Sequence, residues 1–472
     1  MEAFIRWITS ANETLNSIVW GVPAMVLILG AGLLITLATR FVQFAHFGHA
    51  MKNTIGRAGR KSAAAGEGSV TPFQAVWTAL AGTVGTGNIV GVAGAIALGG
   101  PGAVFWMWVA ALVGMATKYA EVVLAIKYRQ RNENGDWVGG PMYYIRNGLG
   151  RKWKWLAGLF AVLTVLASFG IGNLAQINSI AAAVAGAAEA VAPGANGSTV
   201  ALITGIVVMV LVALVSLGGI KRTGKVAGVL VPAMSILYVA ACLAVILCNV
   251  SRVGAAFAMI FRGAFRPDAV LGGSLGITMA TAMRRGVSRG VFSNEAGLGS
   301  APIAHAAADT DSPVRQGLFG IFEVFADTLV ICTLTALTIL CSGITVGYGQ
   351  DAGVELATAA FATVFSGPAA SVVVAVALSL FALATILSWN LYGSRCCEYL
   401  FGSAKASLVY KLIFLPVVVL GAIMDLKLAW SISDTLNGLM AIPNLVGVLL
   451  LSPVVVKLTR EYFARQQGPR AV

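Results

Sequence analysis

Charge is what this sequence has least of. Only 11% of its 472 residues are Asp, Glu, Lys or Arg, against about 25% in soluble domains, while 58% are hydrophobic. That balance excludes a water-soluble domain and places the chain among helical membrane proteins. Acids are the scarcer sign, 19 against 32 Lys and Arg, for a net charge of +13. The basic residues fall in short clusters between apolar runs, without aromatic interleaving or a nucleic-acid motif, so no nucleic-acid partner is expected. The six cysteines (Cys242, Cys248, Cys332, Cys341, Cys396, Cys397) lie in or beside apolar spans. Their spacing fits neither a disulfide framework nor a zinc site. The first 20 residues carry Glu2, Arg6 and Glu13 ahead of the first apolar run, which is not the pattern of a removable signal peptide.

What is present in abundance is apolar spans. A leading span covers about 15–39, followed by a basic segment with His46 and His49. Ten core helices are then expected at about 71–98, 103–127, 155–191, 199–218, 226–249, 269–283, 316–344, 369–392, 406–424 and 428–456. A long polar loop lies between the second and third, and an external helix within 351–366 is allowed. On alternate loops stand 27 of the 32 Lys and Arg, with 5 opposite. The positive-inside rule makes the richer side cytoplasmic. Eleven spans then place the N-terminus outside and the C-terminus inside.

Core helix 1 contains Ala81-Gly82-Thr83-Val84-Gly85-Thr86-Gly87-Asn88 at its middle. Each of its three glycines weakens a helix by about 1 kcal/mol relative to alanine, and lipid supplies no water for an opened turn. Backbone freed at the bilayer centre usually lines a site. The N–H groups of a half-helix suit a carboxylate, and freed carbonyls suit a hard monovalent cation. A packing notch or hinge is the bland alternative. Leu271-Gly272-Gly273-Ser274-Leu275-Gly276 in core helix 6 echoes this break. It opens a second set of five spans running the other way, as in an inverted repeat.

Two motifs are false friends. Gly85-x-Gly87-x-x-x-Gly91 imitates a dinucleotide loop, but no strand precedes it and the next acid is Glu121. Gly272-Gly273-Ser274-Leu275-Gly276 matches G-x-S-x-G, yet it lacks the strand–turn–helix context and a histidine partner, with only His46, His49 and His305 in the chain. Asn173 and Gln176 share a face of core helix 3 and either tie helices together or bind substrate. On core helix 8, Thr385 and Trp389 share a face: a hydroxyl for a cation and a wall for a pocket, or a back-bonded Thr and a packed Trp. Glu323 and Asp327 on core helix 7 are intramembrane carboxylates. They serve ion coupling or pair with Lys118 or an arginine of 284–289. The segment 293–300 reads as a capped turn or an inner gate.

Several segments together resemble the alanine/glycine:cation symporter family, also called sodium:alanine symporters. They are Gly100-Pro101-Gly102-Ala103-Val104-Phe105-Trp106-Met107-Trp108 with Gly114-Met115-x-Thr117-Lys118-Tyr119-Ala120-Glu121; Gly85-Thr86-Gly87-Asn88-Ile89; and Arg289-Gly290-x-Phe292-Ser293-Asn294-Glu295-Ala296-Gly297-Leu298-Gly299-Ser300-Ala301-Pro302. The match runs from about Phe73 through the C-terminal spans. The resemblance implies an all-α membrane protein of the leucine-transporter fold, with one leading helix and a five-plus-five inverted-repeat core broken at helices 1 and 6. The units would be 1–70, 71–249, 250–456 and a tail 457–472. It implies no enzyme activity and no cofactor. It implies sodium-coupled import of a small neutral amino acid, alanine of either hand or glycine; another small amino acid such as glutamine, or proton coupling, is the alternative. A bacterial inner membrane is implied, with lipid as surroundings. By the same resemblance Thr86, Gly87, Asn88, Gln176, Gly273, Ser274, Gly276 and Trp389 would line the amino-acid pocket. Carbonyls of Ala81, Val84 and Phe381, with the Thr385 hydroxyl, would bind sodium.

Overall fold

The computed structural model describes residues 2–54, 65–266, 277–350, 352–424 and 427–466. The leading segment forms α1 (Glu2–Val19) and α2 (Val22–Ala38). Between them Trp20 donates its indole N–H to the Asp434 carbonyl at 3.0 Å. The first core helix is broken where its glycines cluster. α3 (Pro72–Thr83) starts on a Thr71/Gln74 capping box, an opened stretch with a short 3₁₀ turn follows over Thr86–Asn88, and α4 (Val90–Gly99) continues at 56° to α3.

α5 (Gly102–Lys127) is the central post, buried along most of its length. The expected polar loop after it holds a small hairpin, β1 (Gln130–Arg131) with β2 (Trp137–Val138), and a helix Pro141–Leu149. The third core span is α6 (Lys154–Phe169) and α7 (Ala175–Val191), joined by a π-helical turn Gly170–Leu174. Two glycines explain the widened turn. A Cβ on Gly172 would stand 2.2 Å from the Trp389 Cβ, and one on Gly170 2.5 Å from Ser433 Oγ. Gly172→Ala is therefore expected to lower stability by about 1–3 kcal/mol through overpacking, read as a drop in the detergent-solubilised melting temperature.

α8 (Gly197–Ser216) and α9 (Gly219–Cys248) follow, then α10 (Val253–Phe265). Large apolar side chains point outward along α8 and α9, among them Ile203, Val207, Val229 and Ile236. Lipid is the solvent that tolerates such a face.

The second half corrects one expectation. Core helix 6 was expected over about 269–283 with a polar segment after it. Leu271–Gly276, including Gly273, Ser274 and Gly276, lies outside the described residues. The described helix, α11 (Met279–Asn294), runs through the stretch that the sequence suggests is a loop. Three arginines give that impression. Arg289, however, is satisfied by Asp434, with both guanidinium nitrogens on the carboxylate at 2.9 and 3.1 Å. Arg285 lies against Gly99, at the end of α4 remote from Thr71. α11 closes on α5 because Gly286 has no side chain; a Cβ there would meet the Ala103 carbonyl oxygen at 2.2 Å. Arg284, Arg285 and Arg289 thus move to the basic-poor end, and Lys118 is buried within α5. Taking these three and Lys118 off the basic-rich side leaves 23 of the 32 Lys and Arg assigned to it, of which Arg57, Arg60, Lys61 and Arg470 lie outside the described residues.

α12 (Ala301–His305) follows a second break, then α13 (Pro313–Val324), a π-helical stretch Phe325–Cys332 and α14 (Thr333–Ser342). A helix Val354–Phe361 precedes α15 (Gly367–Phe401). α16 (Ala404–Ile423), α17 (Lys427–Leu450) and α18 (Ser452–Gln466) complete the chain. Among the described residues nine helices are long and apolar enough to cross a bilayer, ten if the bent α3–α4 pair counts as one.

Candidate functional site

The break between α3 and α4 is held open by its own residues. The Gly85 N–H, which a continuous helix would give to the Ala81 carbonyl, goes to Asn88 Oδ1 at 2.8 Å. The Ala81 carbonyl oxygen is then free to accept from Thr385 Oγ1 at 3.1 Å. The same hydroxyl lies 3.2 Å from the Phe381 carbonyl oxygen. Three of the four expected cation ligands thus converge from α3 and α15, with Val84 at the end of α3 beside them. Gly85 leaves the space for this: a Cβ there would lie 2.4 Å from Thr385 Oγ1. On the sodium coupling that the resemblance implies, Gly85→Ala is expected to abolish labelled amino-acid uptake in a protein that still inserts in the membrane, measured against surface expression.

On the other side of the break the Thr86 N–H donates to Gln176 Oε1 at 3.3 Å, while Gln176 Nε2 donates to the Ile171 carbonyl at 2.9 Å across the π turn. Asn173 points elsewhere, giving its amide to the Phe414 carbonyl at 3.0 Å, and so ties α16 to the third span. Thr86 Oγ1 is buried and has no hydrogen-bond partner among the described residues.

A second break faces the first. α11 ends at Glu295, whose φ of 55° is left-handed. Gly297 (φ 91°) and Gly299 (φ 79°) carry the chain to Ser300. Gly87 packs on this break, its missing Cβ 3.2 Å from the Phe292 ring and 3.3 Å from Ser293 Cα. Glu295 was not singled out from the sequence beyond its place in a turn or gate, yet it reaches the centre. Its Oε1 accepts the Trp389 indole N–H at 2.8 Å, and its Oε2 accepts from Ser300. The chemical signal was an intramembrane acid in a glycine-rich stretch, hidden by the assignment of that stretch to a loop.

Gly82, Thr83, Gly85, Gly87, Ile171, Gln176, Phe292, Glu295, Thr385 and Trp389 enclose one cavity. Its free space is close to the minimum that holds about one water. Of the residues expected in the pocket, Gly87, Gln176 and Trp389 line it directly. Thr86 and Asn88 belong to the break beside it, and Gly273, Ser274 and Gly276 are outside the described residues.

The two carboxylates of the seventh core span do not pair with Arg284, Arg285 or Arg289 in the described contacts. Asp327 accepts from Asn88 Nδ2 (2.6 Å), Ser293 Oγ (2.8 Å) and Thr328 Oγ1 (2.8 Å), so it ties both breaks to the π stretch. Glu323 accepts from His305. Lys118 Nζ makes no hydrogen bond among the described residues but acts electrostatically on Glu121, Glu295 and Asp327.

Two opposed helix breaks around a small buried cavity, inside a bundle of apolar spans, define a multi-pass membrane transporter rather than an enzyme. The chain belongs to the sodium:alanine symporter family, whose model matches residues 5–471. It is 46% identical to the sodium/alanine symporter AgcS of Methanococcus maripaludis, over 96% of this chain and 97% of that one. An uncharacterised transporter of Haemophilus influenzae is 45% identical over 97% of both. The probable sodium/glutamine symporter GlnT of Bacillus subtilis is 38% identical over 96% of this chain and 90% of that one. Among solved structures, MhsT in complex with L-phenylalanine covers 84% of this chain and 99% of its own at a TM-score of 0.58 and 13% identity. That likeness establishes the leucine-transporter fold.

Proposed function

We propose that the protein imports a small neutral amino acid, alanine of either hand or glycine, coupled to sodium by alternating access. The observation that carries this reading is the meeting of the Ala81 and Phe381 carbonyl oxygens at the Thr385 hydroxyl, directly beside the cavity. Hard oxygen ligands without a thiol or imidazole suit a monovalent cation. Ala81, Val84, Phe381 and Thr385 would hold sodium, turning the Thr385 hydroxyl from donor to ligand. The N–H groups around Thr86, Gly87 and Asn88 would take the substrate carboxylate. Gln176 Oε1 and Glu295 would take its ammonium, and Trp389, Phe292 and Ile171 would bound its side chain. Gly273, Ser274 and Gly276, which the resemblance also puts in the pocket, lie outside the described residues, and the assignment draws its second break from Phe292–Ser300.

Eleven spans are inferred by counting α11 as the short eleventh, with 71–249 and 250–456 as inverted repeats whose broken members are α3–α4 and α11–α12. The recounted excess of Lys and Arg supports a cytoplasmic loop after α5 in a bacterial cell, with the N-terminus outside and the C-terminus inside. Filling both subsites would close the outer side, after which α3 swings to open the inner one.

GlnT supports a second reading, in which glutamine is carried. The apolar walls of Trp389, Phe292 and Ile171 weigh against a side chain that ends in a polar amide. Counterflow of labelled L-alanine in proteoliposomes, competed with glycine, D-alanine and L-glutamine, separates the readings. Glycine and both alanines should compete, and glutamine should not. Competition by glutamine alone would replace the assignment.

A further inference from the structure

The third core span begins in positive charge that nothing offsets. Gly150, with φ at 89°, turns the chain into a short 3₁₀ turn, Arg151–Trp153, which feeds α6 at Lys154. Arg151, Lys152 and Lys154 are all exposed, and none makes an ion pair or a side-chain hydrogen bond among the described residues. No acid occurs in the sequence between Asp136 and Glu189. The elements packed most closely on α6 are the helix Pro141–Leu149, α15 and α17. The first has no acid, and the single acid of each of the others, Glu398 and Asp434, is engaged by Arg395 and Arg289.

Past this turn one face of α6 is apolar and open. Trp155, Leu159, Val162 and Leu166 are 42–63% exposed and recur at the spacing of a single helical stripe. The opposite face, with Leu156, Phe160 and Thr164, is buried. From Trp155 to Leu166 the stripe runs about 16 Å, half of a hydrocarbon core about 30 Å thick, which is the depth of one leaflet. Trp155 stands at its charged end, where an indole suits the membrane–water interface. Lysine stems reach from that level to the headgroups, and the positive end of the α6 dipole lies at the same place.

We propose that this face of α6 is a binding surface for one anionic phospholipid of the adjoining leaflet. The lipid phosphate lies against Arg151, Lys152 and Lys154, and an acyl chain follows the stripe from Trp155 to Leu166. Charge complementarity selects this occupant. A zwitterionic headgroup brings its own cation to a turn that already holds three. A second copy of this chain, docked on the same stripe about a two-fold axis along the membrane normal, would set the three cations of each copy against each other. The surface lies at the end of α6 remote from the π turn that leads to Gln176. It is thus separate from the proposed sodium and amino-acid subsites, and its test uses neither ligand.

The test captures the intact protein from mixed micelles holding equal phosphatidylglycerol and phosphatidylcholine, and counts the retained lipids by mass spectrometry. Wild type should retain phosphatidylglycerol over phosphatidylcholine by at least about fivefold, since each basic residue at an anionic surface is worth roughly that factor. The triple variant Arg151→Gln, Lys152→Gln, Lys154→Gln should retain the two about equally. A control that removes the same charge elsewhere, Lys221→Gln, Arg222→Gln, Lys225→Gln, should keep the wild-type preference within about twofold. In about 1 M salt, where screening acts within about 3 Å, the wild-type preference should collapse. A preference unchanged in the triple variant, or unchanged by salt, would overturn the proposal. Equal losses in the triple variant and the control would do the same, because general positive charge would then be the attractant. Should the triple variant fail to insert, Lys154→Glu alone reverses one exposed charge and should lower the preference by at least about fivefold; no change there counts equally against the surface.

Discussion

Glu295→Gln is expected to lower alanine affinity by about 2–5 kcal/mol, the cost of removing one partner of a buried charge-assisted hydrogen bond, or roughly 30-fold to several-thousand-fold. The substitution is nearly isosteric. Gln still offers an oxygen to the Trp389 indole, and its amide nitrogen can donate to the Ser300 hydroxyl, so both contacts of Glu295 have replacements. What disappears is the carboxylate lining the cavity, to which the proposed reading assigns the substrate ammonium. Isothermal titration with alanine in sodium buffer reads the loss directly, and a melting temperature within a few degrees of wild type separates it from misfolding. Affinity within twofold of wild type would remove Glu295 from the ammonium subsite.

Thr385→Val is expected to act on the cation and only secondarily on the amino acid. Valine keeps the branched shape in the helix but cannot donate to the Ala81 and Phe381 carbonyls or ligate an ion. Loss of one such interaction is worth about 1–3 kcal/mol. The sodium concentration for half-maximal uptake should therefore rise roughly 5- to 150-fold, with the alanine dependence at saturating sodium little changed. Thr385→Ser keeps the hydroxyl and should restore most of the response. An unchanged sodium dependence in the valine variant would remove Thr385 from the ion site.

The first break was legible because its causes are local. Gly85 and Asn88 both act within a few residues, one by leaving space and the other by diverting the Gly85 N–H. Thr385 and Trp389 were legible from helical spacing, which puts both on the face of α15 that meets α3 and the second break. The second break was hard to read for a physical reason. It is built from a left-handed Glu295 and two glycines inside a motif that also fits a capped turn, while the break read at Gly272–Gly276 lies outside the described residues. Three arginines made α11 look like a loop, because the salt bridge to Asp434 that satisfies one of them joins residues 145 positions apart. The π stretches depend likewise on what packs against them. Nothing near Gly172 in sequence announces that Trp389 occupies the space a side chain would need. Lys118 falls in the same class: counted with a loop by its charge, it is buried beside Glu121 of its own helix and within reach of carboxylates from two other stretches of chain, Glu295 and Asp327.

In the proposed reading one helix break holds a cation and an amino acid side by side, so that each strengthens the other. Coupling of this kind is reciprocal by thermodynamic necessity. Titration of the purified protein with alanine in sodium and in choline buffer, and with sodium in the presence and absence of alanine, measures it in both directions. The predicted result is a gain of at least about fivefold in each affinity, by the same factor within error, and loss of that factor in Thr385→Val. Equal alanine affinity in sodium and choline would contradict the shared site.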